Sequence, residues 1–232
     1  MKVTLRTEAI DRGELEVEGR FVDASNATLF AHCLYEGLSI PVIYKPIAGE
    51  RPLWDFPDGN LAQRERATYL LSEELGLDLV PYTIVREGPF GLGMVQEWIE
   101  ISEEIDVIAV AQSKNSRIRL MALFDAIINN TDRKYGHILP ITEEQIFGCD
   151  HGVTFHVDPK LRTVLWQFAG EPFTILEMQT LTQVLKVAQL RLRDLISPAE
   201  MDALLLRVRA LMVAGSFPFP SEDWPSIPWP PF

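Results

Sequence analysis

Two carboxylates in chain order suit phosphoryl transfer: Asp132 in Asn130-Thr131-Asp132-Arg133, and Asp150 in Gly148-Cys149-Asp150-His151-Gly152. An apolar helical stretch leads into the first, and a short apolar strand, Gln145 to Cys149, leads into the second. Such a reaction uses one carboxylate beside the attacking hydroxyl and another to hold the metal ion that bridges the nucleotide phosphates. A single Asp-Arg pair says little, because most are surface ion pairs or helix-end caps. Upstream, however, Lys45 ends a short strand and Glu65 lies in the helix that follows. An ammonium on a strand is a fixed positive charge for phosphates, and a fixed counter-charge restricts its rotamers. Singly, Lys45 and Glu65 read as solvated surface residues. Together with both aspartates, in this order, they outweigh that reading.

These residues need elements to hold them. Glu14 to Phe21 alternates, with Leu15, Val17 and Phe21 on one face and Glu14, Glu16, Glu18 and Arg20 on the other, as in a half-buried strand. Asp23-Ala24-Ser25-Asn26 reads as a turn, Thr28 to Tyr35 as the returning strand, and Pro41 to Lys45 as a third strand closed by Pro46. Leu61 to Leu75 has helical spacing (Ala67, Leu70, Leu71, Leu75), with Gly76 just past its end. Tyr82 to Arg86 and Met94 to Ile99 read as two more strands, joined by the glycine-rich stretch Gly88 to Gly93. Beyond residue 101 the pattern turns helical. Ile118 to Asn129 is amphipathic, and further helices are expected over Thr180 to Leu195 and Pro198 to Val213. The last opens on Ser197-Pro198-Ala199-Glu200, a capping box with proline at the first helical position. Phe217 to Phe232 holds six prolines and two tryptophans. The fold class is therefore α+β in two lobes. Residues 1–98 form a small antiparallel-sheet lobe with one helix, and residues 99–232 form a mainly helical lobe.

The 232 residues are 47% hydrophobic with a formal net charge of −12, which argues against constitutive binding to nucleic acid or to an anionic membrane. No apolar run is long enough for a membrane span or a signal peptide. Two cysteines, Cys33 and Cys149, are too few for a disulfide framework, so a cytoplasmic setting is expected.

Several segments carry a family resemblance: Ile43-Tyr44-Lys45-Pro46; Arg64 to Leu71, followed by Gly76 to Pro81; Asn130-Thr131-Asp132-Arg133; and Cys149-Asp150-His151-Gly152 with Phe155. They resemble the phosphatidylinositol 3-/4-kinase superfamily of atypical kinases, above all its compact type II phosphatidylinositol 4-kinase branch. The chain is also similar to a bacterial group of phosphatidylinositol 3-/4-kinase-like proteins, which share the Glu50 to Pro57 loop and the Pro-Trp-Pro-Pro-Phe ending. The resemblance implies a two-lobed protein-kinase-like fold, ATP as cofactor, and Mg²⁺ or Mn²⁺. It places Lys45 on the nucleotide phosphates with Glu65 as its partner, Asp132 as base or hydroxyl-positioning carboxylate, and Asp150 as metal ligand. Gln96, Glu97 and Trp98 would form the adenine-facing hinge, and Ser25, Asn26 and Thr28 the phosphate-covering loop.

Two departures stand out. The family's second metal-ligating asparagine is replaced by His137, and the covering loop lacks repeated glycines. Imidazole suits Mn²⁺ better than Mg²⁺, so His137 either ligates a softer ion, contacts phosphate or packs. In the catalytic loop, Arg133 reads best as a buried ion pair bracing the loop. Lys134 is either a second cation for the γ-phosphate or a solvated side chain. Lys160 and Arg162 can neutralise an anionic acceptor. The tail packs along the second lobe or offers a partner a proline-rich ligand.

The resulting expectation is an ATP-dependent kinase acting on an alcohol, with a small-molecule or lipid head-group acceptor of inositol type. There is no nucleic-acid partner and no stable membrane insertion. The alternatives are a protein Ser/Thr kinase of the same fold and a nucleotide-binding pseudokinase scaffold.

Overall fold

The computed structural model describes residues 4–21, 26–51, 53, 55–56 and 60–232. A short helix α1 (Leu5–Arg12), opened by a Thr4–Thr7 capping box, precedes strands β1 (Glu14–Arg20), β2 (Leu29–Tyr35) and β3 (Leu38–Pro46). Helix α2 (Leu61–Glu74) then leads to β4 (Thr83–Gly88) and β5 (Gly91–Glu97). The five strands form one antiparallel sheet in the order β1-β2-β3-β5-β4. Alternation sorts its two faces. Ala31, Cys33, Val42 and Tyr44 are buried in the core that includes Ile10 of α1, whereas Ile43 and Lys45 face the opposite way.

Lys45 pairs with Met94, and the sheet closes tightly beside it. A Cβ on Gly93 would lie 2.6 Å from the Lys45 carbonyl oxygen and 2.7 Å from Pro46 Cα, so the neighbouring strand needs glycine there.

Helix α2 stops where glycine punctuates it. Gly76 has φ +65, its N–H donates to the Glu73 carbonyl, and the Leu77 N–H donates to that of Ser72, the paired bonds of a glycine-terminated helix. At its other end, the Asn60 side chain and the Glu50 carboxylate accept the free N–H groups of Gln63, Leu61 and Ala62. Arg64 of this helix is buried and reaches Glu200 at 2.9 and 2.6 Å, tying α2 to the second half of the chain.

That half contains α3 (Val107–Gln112), α4 (Ser116–Ile128), a small hairpin of β6 (Ile138–Pro140) and β7 (Ile146–Gly148), then α5 (Ile175–Leu192) and α6 (Pro198–Ala214). The capping box at Ser197 and Glu200 is formed. Several elements differ from the expectation: the sequence pattern does not mark α3 or β6, β3 begins at Leu38 rather than Pro41, and β5 begins at Gly91 rather than Met94, so the Gly88 to Gly93 stretch lies largely within β4 and β5. Helix α1 is mostly polar and was not marked by periodicity. Helix α5 starts at Ile175 rather than Thr180, set by a Thr174–Glu177 capping box. Its first two residues, Ile175 and Leu176, are 79% and 74% exposed, so no apolar stripe announces that turn. Cys33 and Cys149 are both free.

Candidate active site

Strand β3 delivers Lys45 to the cleft between the sheet and the helical half. Its ammonium lies 2.8 Å from Asp150 Oδ1 and 3.0 Å from Glu65 Oε1. Burial alone would favour neutral lysine, but the two carboxylates outweigh it and raise its pKa. Glu65 is buried in α2, and its other oxygen accepts the His151 N–H at 2.8 Å. Burial raises the Glu65 carboxyl, with Lys45 opposing. Asp150, just past β7, has φ +58, and Lys45 holds its carboxyl well below the usual range.

Helix α4 ends at Asn129 in the left-handed conformation, φ +52. Its side-chain amide donates to the His156 and Asp158 carbonyls and accepts the Lys160 N–H. The chain then enters the Asp132 loop, where Asp132 N–H donates to Asn130 Oδ1. The Asp132 carboxylate is partly exposed, with Lys134 Nζ at 3.4 Å, and burial raises its pKa against the pull of Lys134 and His137.

His137 sits in a three-residue 3-10 turn, Tyr135–His137. Its Nδ1 lies 2.8 Å from the Asp132 carbonyl, which can only accept, so Nδ1 carries the proton. Nε2 then points its lone pair at Asp150 Oδ2, 3.3 Å away. Burial lowers the His137 pKa, with Asp150 opposing. The Cys149 thiol, also lining the cleft, is pushed up to about 12 by burial and then by Asp150, so it offers no thiolate. No group of three or more His, Cys, Asp or Glu side chains forms a metal cage among the described residues. An ion held by Asp150 and His137 would therefore take its other ligands from phosphate and water.

Arg133 does not face this cleft. It is wholly buried, forks onto Asp125 at 2.9 and 3.0 Å, and also donates to the carbonyls of His137 and Cys149 and to His151 Nε2. His151 must stay neutral to accept, and burial followed by the Arg133 charge lowers its pKa well below the ordinary value. Gly148 is small because a Cβ would come within 3.0 Å of Arg133. Asp125 was not singled out from the sequence. Its signal is a charge within the apolar stripe of α4, where only a buried partner makes it tolerable.

The cleft itself is a cavity of about 350 Å³, lined by Phe21, Thr28, Ile43, Gln96 and Trp98 on the sheet side and by Gly136, His137, Cys149 and Asp150 opposite. Larger hollows of about 560 and 660 Å³ lie elsewhere and lack Lys45 and Asp150. The expected hinge is partly committed. Gln96 donates to Thr83 Oγ1, the Glu97 side chain pairs with Arg6, and the N–H groups of Glu97 and Trp98 donate to the carbonyls of Tyr82 and Pro41. A purine here must meet carbonyls or later N–H groups. Asn26 accepts the Arg51 N–H, and Ser25 lies outside the described residues. Lys160 is buried beside Asp55, His156 and Trp224, so it presents no charge to an acceptor, contrary to expectation.

Sheet, α2, linking segment and helical half together make a kinase-like two-lobed fold. The crystal structure of a Helicobacter pylori proinflammatory kinase, CtkA, matches it with a TM-score of 0.51 over 89% of this chain and 94% of that one, at 11% identity. A likeness at that identity concerns the fold alone. No family profile matches the chain. By sequence it is 38% identical to Protein Rv2133c of Mycobacterium tuberculosis over 100% of this chain and 98% of that protein, and it belongs to that protein's family.

Proposed function

We propose that the chain is an ATP-dependent phosphotransferase of the phosphatidylinositol 3-/4-kinase-like type, passing the γ-phosphoryl group to an alcohol of inositol type. The observation that carries this reading is the Lys45 ammonium fixed between Glu65 and Asp150 at the floor of the cleft. Residues 1–98 would hold the nucleotide and residues 99–232 the acceptor. Lys45 neutralises nucleotide phosphate charge, Glu65 fixes its rotamer, and Asp132 orients or deprotonates the acceptor hydroxyl. The raised Asp132 pKa suits a base. Lys134, 3.4 Å from Asp132, would meet developing negative charge.

The residues present fit a divalent cation. A neutral His137 Nε2 and an Asp150 oxygen, both acceptors, face each other with no proton between them. A carbonyl holding the other ring nitrogen is the usual support for a histidine ligand. Bound there, Mg²⁺ or Mn²⁺ supplies positive charge to the nucleotide phosphates.

A small acceptor is favoured over an extended peptide by the backbone around Asp132. The N–H groups of Thr131, Arg133, Tyr135, Arg162, Thr163 and Val164 are already engaged by carbonyls of this chain. A peptide read by strand addition needs such groups free. No described helix is long and apolar enough to cross a membrane, so a lipid acceptor would be met at a membrane surface.

Radiolabelled ATP presented with inositols, phosphoinositides, sugars and generic proteins tests the reading. Asp132→Ala is expected to abolish transfer while ATP affinity stays within about threefold, because that carboxylate faces the acceptor. Binding of ATP without hydrolysis or transfer under any metal would instead favour a scaffold. A second test bears on the metal. Activity with Mn²⁺ should exceed that with Mg²⁺ at equal free concentration, and His137→Asn should narrow or reverse the preference. An unchanged metal profile in that variant would leave His137 as a packing residue.

A further inference from the structure

After α6 the chain turns back at Gly215 and runs along the segment that follows Asp150. Phe217 is buried beside Phe168 and Phe173, and its backbone exchanges hydrogen bonds with Gly170 and Glu171. Farther on, the Trp224 ring covers Lys160 Nζ at 4.7 Å. The Ser226 carbonyl accepts both the Thr163 N–H at 3.0 Å and the Trp166 indole N–H at 2.9 Å. The Ile227 carbonyl accepts from Arg162 at 3.4 Å. The strap reaches the catalytic loop itself. The Pro231 carbonyl accepts the Tyr135 N–H at 2.9 Å, and the Phe232 ring lies 5.7 Å from that of Tyr135.

Composition explains why this stretch can act as a strap. Proline has a fixed φ and no N–H, so a proline-rich segment loses little entropy on ordering and offers mainly carbonyls. The groups it meets are donors: two backbone N–H groups, an indole and a guanidinium.

We infer that residues 224–232 are a positioning element of the active site, holding the Tyr135–His137 turn and thereby setting Lys134 against Asp132 and His137 against Asp150. The turn has no side-chain cap of its own, and the N–H that opens it goes to Pro231. Lys134 immediately precedes it, 3.4 Å from Asp132, and His137 closes it, 3.3 Å from Asp150. A shift of the turn moves both contacts at once. Misplacement by an ångström is enough to cost catalysis about a hundredfold. The effect on turnover rests on the phosphotransferase reading; the hold on the turn does not.

The test compares the full chain with Phe232→Ala, Phe232→Trp and a deletion of residues 228–232, following amide hydrogen exchange, thermal midpoint and ATP turnover. In Phe232→Ala and in the deletion, exchange across residues 134–137 should rise about tenfold or more, with α2 and α5 unchanged. Their kcat should fall about tenfold or more while KM for ATP stays within about twofold. Phe232→Trp, which keeps an aromatic face, should restore both. Should the deletion unfold the protein, the Phe232 variants decide. Unchanged exchange over 134–137 in Phe232→Ala would overturn the hold on the turn, and faster exchange with unchanged kcat would overturn its part in catalysis. If the wild type turns over no ATP, the phosphotransferase reading fails, and the exchange data still decide whether the strap holds the turn.

Discussion

Lys45→Met is expected to lower turnover by at least about a hundredfold, the scale of losing one preorganised charge at a reacting phosphate. Asp150→Asn should do the same on the proposed reading, since it removes the carboxylate that would hold a hard cation. The two variants differ in what they leave behind. Removing Lys45 strands Glu65, a buried carboxyl whose pKa is raised by burial and restrained by Lys45. Without the ammonium that pKa rises further above its ordinary 4.5. A carboxyl raised on folding stabilises fully below its unfolded pKa, and that contribution is lost as pH climbs toward the folded value. Lys45→Met should therefore lose stability relative to the wild type as pH rises from about 4.5, seen as a growing gap in denaturant midpoints. Asp150→Asn keeps the Lys45–Glu65 pair and should show no such trend. Parallel pH profiles for Lys45→Met and the wild type would mean that Lys45 is not what restrains Glu65.

Lys45, Glu65 and Asp150 could be found from the sequence because each sits at a locally determined place. Lys45 ends an alternating strand, Glu65 is in a helix whose end Gly76 marks, and Asp150 follows a short apolar strand. Such patterns fix which face a side chain takes before any tertiary contact is known. The structure brings these three within hydrogen-bond distance and sets His137 beside Asp150. The parts that stayed hidden act through the backbone or over long separations. The carbonyls of Ser226 and Pro231 hold the catalytic segment, and a carbonyl has no residue type to read. Glu200 was legible as a cap of α6, and its Oε2 does accept the Ser197 N–H, but its Oε1 also takes Arg64 of α2. Only the fold shows that second task. The hinge is legible only as a location, because the fold alone shows that Glu97 and Trp98 give their N–H groups to the Tyr82 and Pro41 carbonyls.

Arg133→Met should destabilise the protein by about 3–5 kcal/mol, the cost of breaking a buried ion pair from one side. The reason lies in what the guanidinium satisfies. Asp125 and Arg133 are both 0% exposed, so the stranded carboxylate has no water to turn to. The His137 and Cys149 carbonyls and His151 Nε2 lose a donor at the same time. Those carbonyls belong to the residue facing Asp150 and the residue preceding it, so the Asp132 loop and the end of β7 lose a common brace. Asp125→Leu combined with Arg133→Met should recover part of the loss, since no charge is then left buried. It should not recover all of it, because the Cys149 carbonyl and His151 Nε2 stay without that donor, whereas the His137 carbonyl keeps the Cys149 N–H. The coupling between the two changes is expected at about 1–3 kcal/mol in a double-mutant cycle. Urea unfolding at constant m-value measures all three variants. Arg133→Lys is the discriminating control: it keeps the charge but cannot fork between Asp125, two carbonyls and a ring nitrogen. A lysine variant as stable as the wild type would show that charge alone braces the loop, whereas a loss near that of Arg133→Met would assign the brace to the planar fork.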